Sequence, residues 1–115
     1  MGYPANAEYN KLVRDRIPEI IVADGLQVET RDLTQPEIVQ ELLRKVVEEA
    51  KELSEAEGTD DISKEMSDVL EILISLSERL GISMDEVEKL RKVRAEKRGR
   101  FEKGIYLVRT YKEEE

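Results

Sequence analysis

Residues 36–80 read PEIVQELLRKVVEEAKELSEAEGTDDISKEMSDVLEILISLSERL, and this stretch decides the fold. Apolar residues recur at helical spacing through Ile38, Val39, Leu42, Leu43, Val46, Val47, Ala50 and Leu53. They recur again through Ile62, Met66, Val69, Leu70, Leu73, Leu76 and Leu80. Thr34, with Pro36 in the first turn and Glu37 three residues on, has the pattern of a capping box. A first long helix is therefore expected from about Pro36 to Glu57, ended by Gly58-Thr59. Asp60 or Asp61 is the expected cap of a second helix running to Leu80, stopped by Gly81. The GTDD connection is short, so the two helices should form an antiparallel hairpin.

The flanks extend this plan. Ser83, with Glu86 after it, should open a third helix carrying Met84, Val87, Leu90 and Val93. Upstream, LVRDRIPEII is a basic-then-apolar stretch broken by Pro18, and Asp24-Gly25 reads as a turn. Leu26–Leu33 roughly alternates, and Ile105–Tyr111 (IYLVRTY) is β-branched and aromatic. Leu26–Thr30 and Ile105–Tyr111 are candidates for a small two-stranded β-ribbon, marginal alone and needing the helices to pack on. The expectation is a mainly α fold, a hairpin plus third helix forming an oligomeric bundle. Residues 1–115 should make a single domain, with 1–8 a loose leader and 112–115 a solvated tail.

Composition narrows the chemistry. The 115 residues contain no cysteine and no histidine, which excludes disulfides, thiol nucleophiles, the usual zinc sites and a histidine-based triad. Any bound metal must be held by oxygen. The net charge of −8 argues against a nucleic-acid polymer as partner, but bound metal can invert the local sign for a nucleotide. No apolar run approaches a membrane span and MGYPANAEYN lacks a signal-peptide core, so a cytoplasmic protein is the simplest expectation.

Two carboxylate pairs carry the functional reading: Glu49-x-x-Glu52, preceded by Glu48, and Glu65-x-x-Asp68. A spacing of three puts both members on one side of a helix. Most such pairs in an acidic chain are solvated surface. A projection at about 100° per residue argues otherwise here. It centres the first apolar arc near Val46, Ala50 and Leu53, with Glu49 inside it, Glu52 at its margin, and Glu48 and Glu55 toward solvent. On the second helix the arc centres near Val69, Ile62 and Leu73, with Glu65 inside and Asp68 at the margin. Converging carboxylates repel and are costly to bury unless cations neutralise them. Lys45, Lys51 and Lys64 project mostly outward. That leaves a hard cation such as Mg²⁺, or salt bridges from Arg91, Arg94 and Arg98.

Three stretches, in order, resemble a known family. Glu48-Glu49-x-x-Glu52 followed by Glu65-x-x-Asp68 is similar to the signature of the MazG-like all-α nucleoside triphosphate pyrophosphohydrolases. YNKLVRDRIPEII (residues 9–21) resembles the opening of the small stand-alone members labelled phosphoribosyl-ATP pyrophosphohydrolase-like. Glu96-Lys97-Arg98-Gly99-x-Phe101 with GIYL after it resembles their closing motif, with Arg100 where a second glycine is common.

The resemblance implies Mg²⁺, with Mn²⁺ as substitute, bound by Glu49, Glu52, Glu65 and Asp68. It implies hydrolysis of a nucleoside triphosphate between its α- and β-phosphates, giving a monophosphate and pyrophosphate, as a house-cleaning activity. Glu48 or Glu49 would orient or deprotonate the attacking water. Lys11, Arg14, Arg94, Lys97 and Arg98, in the opening and closing motifs, are the candidate phosphate contacts. A homodimer or homotetramer is implied. Two alternatives stand beside this reading: the phosphoribosyl-ATP reaction of histidine biosynthesis, and a non-catalytic helical oligomer or binding module.

Overall fold

The computed structural model describes residues 2–114 and contains four helices: α1 (Ile17–Ala23), α2 (Gln35–Glu55), α3 (Thr59–Leu80) and α4 (Met84–Arg98). The chain forms two compact units, one up to Ile82 and one from Ser83 on.

In the first unit, α2 starts where its cap predicts. Glu37 N–H donates to Thr34 Oγ1 at 3.4 Å, and Thr34 N–H donates back to Glu37 Oε1 at 3.0 Å. The backbone donor of Thr34, the Arg31 guanidinium and the Thr34 hydroxyl hold the Glu37 carboxyl down from 4.5 to about 2. The α2–α3 turn relies on Gly58, whose φ of 81° suits glycine far better than any other residue. Gly58 itself precedes α3 without a side-chain cap, and Asp60 and Asp61 lie in the first turn, where they complement the helix dipole. At the far end Gly81 is left-handed and Ile82 N–H donates to Ser77 O at 2.8 Å, a Schellman closure.

The hairpin is antiparallel, its open end tied by Gln35. Its side chain donates to Arg79 O at 2.6 Å and accepts from Arg79 Nη1 at 3.0 Å. Among the described residues, Leu42 and Ile72 are the buried apolar ones. Ile38, Val46, Leu53, Val69 and Leu76 are half-buried. The covered stripe on α2 follows positions 38, 42, 46, 49 and 53, which puts Glu49 in the seam. Ala50, near the expected centre of the arc, is exposed, and so is Val47, at 71%. The apolar arc is wider than one partner helix can cover, and the remainder (Leu43, Val47, Met66, Leu70) faces solvent.

One feature upstream departs from expectation. Pro18 does not break the LVRDRIPEII stretch but sits in the first turn of α1, where a missing N–H costs nothing. Near the start of the leader, Tyr3 N–H donates to Asp24 Oδ2 at 2.8 Å.

In the second unit, Ser83 caps α4 by accepting from Asp85 N–H at 3.1 Å. Asp85 and Glu86 begin the helix and Lys97 and Arg98 end it, matching its dipole. No described residue of this unit is buried, and the expected face at Val87, Leu90 and Val93 is exposed. The anticipated β-ribbon is not seen among the described residues. Residues 26–33 and 105–112 each run without helix, strand, turn or bend. A two-stranded ribbon has too little to bury for its own stability. No described helix is long and apolar enough to cross a membrane.

Candidate metal centre

The seam of the α2–α3 hairpin brings together the four carboxylates singled out in the sequence. Carboxylate oxygens of Glu49, Glu65 and Asp68 lie within 4.8 Å of one another, and so do those of Glu48, Glu49 and Glu52. Glu49 belongs to both groups and links the α2 acids to the α3 acids. Helical phase explains this. Glu49 and Glu52 project from one side of α2, and Glu65 and Asp68 from the facing side of α3.

Burial separates this cluster from ordinary surface acid. Glu49 Oε2 and Glu65 Oε2 are fully enclosed and have no hydrogen-bond donor among the described residues. A buried acceptor without a donor costs about 1–3 kcal/mol, and more when charged. Burial pushes the Glu49 carboxyl above its usual range, assisted by the close approach of the Glu52 carboxyl and the charges of Glu52 and Asp68. Burial likewise raises Glu65, followed by the charges of Glu52 and Asp68. Lys45 and Lys64 oppose these shifts without cancelling them. Lys45, expected to point outward, sits one turn before Glu49 and is half-buried, close enough to act on it.

Two cations from the opening motif stand at the rim. Arg14 Nη2 donates to Asp68 Oδ1 at 2.9 Å, and Lys11 Nζ to Glu48 Oε1 at 3.4 Å. Both pairs are substantially exposed, and pairs of this kind contribute about 0–1 kcal/mol. Neither reaches the two enclosed oxygens. Their 54- and 37-residue separations from Asp68 and Glu48 leave no local spacing from which sequence reasoning could have found the contacts. Arg16, also in the opening motif, pairs with Glu19 one turn along. Arg94, Lys97 and Arg98 lie on α4 in the second unit and are exposed; Arg91 is paired with Glu88 on the same helix.

The donor set is oxygen only, anionic and convergent, which is what a hard divalent cation requires and what soft-metal sites lack. Orphaned buried oxygens on both helices fit such an ion. No family model, no curated protein and no solved structure matches this chain.

Proposed function

We propose that this protein is a Mg²⁺-dependent nucleotide pyrophosphohydrolase of the MazG-like all-α class, cleaving a nucleoside triphosphate to a monophosphate and pyrophosphate. The observation that carries the reading is the pair of enclosed, donor-less oxygens of Glu49 and Glu65, one from each helix of the seam. The ordered resemblance of the opening, carboxylate and closing motifs supports it.

When bound, the divalent ion supplies charge neutralisation and Lewis-acid polarisation of phosphate oxygens. Everything else falls to the chain. Glu49, Glu52, Glu65 and Asp68 would hold the ion. Glu48 lies at the edge of the cluster with 41% of its side chain exposed, where a carboxylate can orient water and accept its proton. Glu49, drawn into the seam and shared by both acid groups, serves better as ligand than as base. Arg14 and Lys11 are the cations paired with acids of the cluster and suit phosphate oxygens, Arg14 by two-pronged bonding. Arg94, Lys97 and Arg98 are assigned to phosphate contact on the closing-motif resemblance. No covalent nucleophile is required, in keeping with a chain lacking cysteine and histidine. The uncovered apolar edge of α2 and α3 is assigned to pairing with a second copy, giving a homodimer or homotetramer in the cytoplasm.

One observation favours a different class. The Arg14–Asp68 and Lys11–Glu48 pairs partly neutralise the acids without metal, as a non-catalytic helical module would use them. The two readings separate in a pyrophosphate-release screen. Canonical and modified nucleoside triphosphates and phosphoribosyl-ATP are offered with Mg²⁺ to wild type, Glu49→Ala and Glu65→Ala. Turnover by wild type alone supports the hydrolase, and fastest turnover of phosphoribosyl-ATP moves it to histidine biosynthesis. No turnover, with no Mg²⁺-dependent change in stability, leaves the module.

A further inference from the structure

We infer that the segment Ile105–Tyr111 pairs as a β-strand with residues 26–32 of a second copy of this chain, reciprocally, so that each copy gives one strand and receives one.

Both segments have the sequence of strands and neither has a partner. Residues 105–111 run without helix, turn or bend, and among the described residues their backbone groups make no hydrogen bond. Residues 26–32 are the same except for Leu26 N–H, which donates to Ile21 O at 3.4 Å. The later segment already alternates. Arg109 lies over the Tyr111 ring at 5.1 Å to its centroid, so residues two apart share a face, as in a strand. Ile105, Leu107 and Tyr111 then occupy that face, and Tyr106 and Val108 the other. All five are between 72% and 89% exposed. An unpaired apolar strand of this length is an aggregation template unless something covers it.

The charge distribution argues for another copy of this chain as the cover. The first 82 residues carry 19 acids against nine Lys and Arg, whereas residues 89–112 carry ten Lys and Arg against two acids. The second unit buries nothing of its own, and its basic stretch complements the acidic first unit of a partner, which steers and orients association. A two-fold axis makes the exchange closed. The 105–111 strand of one copy meets residues 26–32 of the other, and the same contact repeats in reverse, leaving neither segment free to propagate. Backbone pairing of this kind supplies main-chain hydrogen bonds, while Val28 and Leu107 supply cross-strand apolar contact.

The chain has no native cysteine, so disulfide mapping is clean. Two differently tagged versions of the full chain are co-expressed. One carries Val28→Cys, and the other carries Ile105→Cys, Leu107→Cys, Arg109→Cys or, as control, Glu114→Cys. The expected result is a disulfide between the two tagged chains that peaks at one of the first three positions and falls to control level at Glu114. Amides of residues 105–111 should also exchange about tenfold or more slowly at high than at low protein concentration, and Val108→Pro should abolish that difference. Flat cross-linking yields overturn the inference. So does a disulfide formed only within single chains carrying both Val28→Cys and Leu107→Cys. The pairing needs the second copy proposed above but not the hydrolytic reaction. A protein that sediments as a monomer sinks both assembly claims, whereas a dimer without this cross-link sinks only strand exchange.

Discussion

Glu49→Gln should make the metal-free protein more stable and the Mg²⁺-loaded protein less stable than wild type. In the seam, oxygens of Glu49, Glu65 and Asp68 sit within 4.8 Å of each other. At that separation two unit charges repel by about 3.5 kcal/mol at an effective dielectric near 20, and by about 0.9 kcal/mol in bulk water. The cluster has one solvated rim, and Glu49 also loses the attraction of Lys45. The net gain on removing the charge is therefore about 1–2 kcal/mol without metal, or roughly 3–10 °C in Tm. With Mg²⁺ at a hundred times its Kd, wild type gains about 2.7 kcal/mol that the variant largely forgoes. The assay is thermal unfolding at fixed protein concentration, in EDTA and then in saturating Mg²⁺. The stability order should invert between the two conditions. A variant less stable than wild type in EDTA, or one that keeps the full Mg²⁺ shift, refutes the reasoning.

Other outcomes follow from the same geometry. Arg14→Ala should raise KM for a nucleoside triphosphate severalfold while leaving the Mg²⁺-induced Tm shift in place, because Arg14 contacts Asp68 from the rim; steady-state kinetics beside thermal unfolding checks both. Thr34→Ala should cost about 1 kcal/mol at pH 7 by removing the α2 cap. Glu37 titrates near 2 in the folded chain against 4.5 ordinarily, so the stability it adds is complete above pH 4.5 and disappears as pH falls toward 2. The difference between wild type and Glu37→Gln should shrink over that window, as read by urea unfolding across pH. Val47→Glu with Leu70→Glu, both on the uncovered edge, should abolish the self-association proposed above, giving a monomer in sedimentation velocity with α-helical circular dichroism retained. Gly81→Ala should cost about 1 kcal/mol, because φ of 68° there disfavours a Cβ.

The hairpin was legible because its signals are local. Thr34 to Glu37 is a three-residue relation, the apolar period is short, and Gly58 and Gly81 mark sharp turns. The carboxylate cluster was legible for the same reason, since i,i+3 spacing and helical phase fix which acids share a face. Ala50 and Val47 were misplaced because a projection finds the apolar arc but not how much of it one neighbour covers. α1 was missed because Pro18 reads as a breaker until the helix start is known. Lys11 and Arg14 at the rim depend on contacts across 37 and 54 residues, which no local pattern encodes. Residues 26–33 and 105–112 were legible as non-helical chain, but which segment each pairs with is a long-range relation that no local pattern encodes.

The most direct measurement of the central claim is product analysis by anion-exchange chromatography after incubating wild type and Glu49→Ala with nucleoside triphosphates, with Mg²⁺ and with EDTA. The account predicts monophosphate and pyrophosphate in equal amounts from wild type with Mg²⁺, and no product from the variant or in EDTA. Diphosphate with inorganic phosphate, or equal turnover by Glu49→Ala, would contradict it.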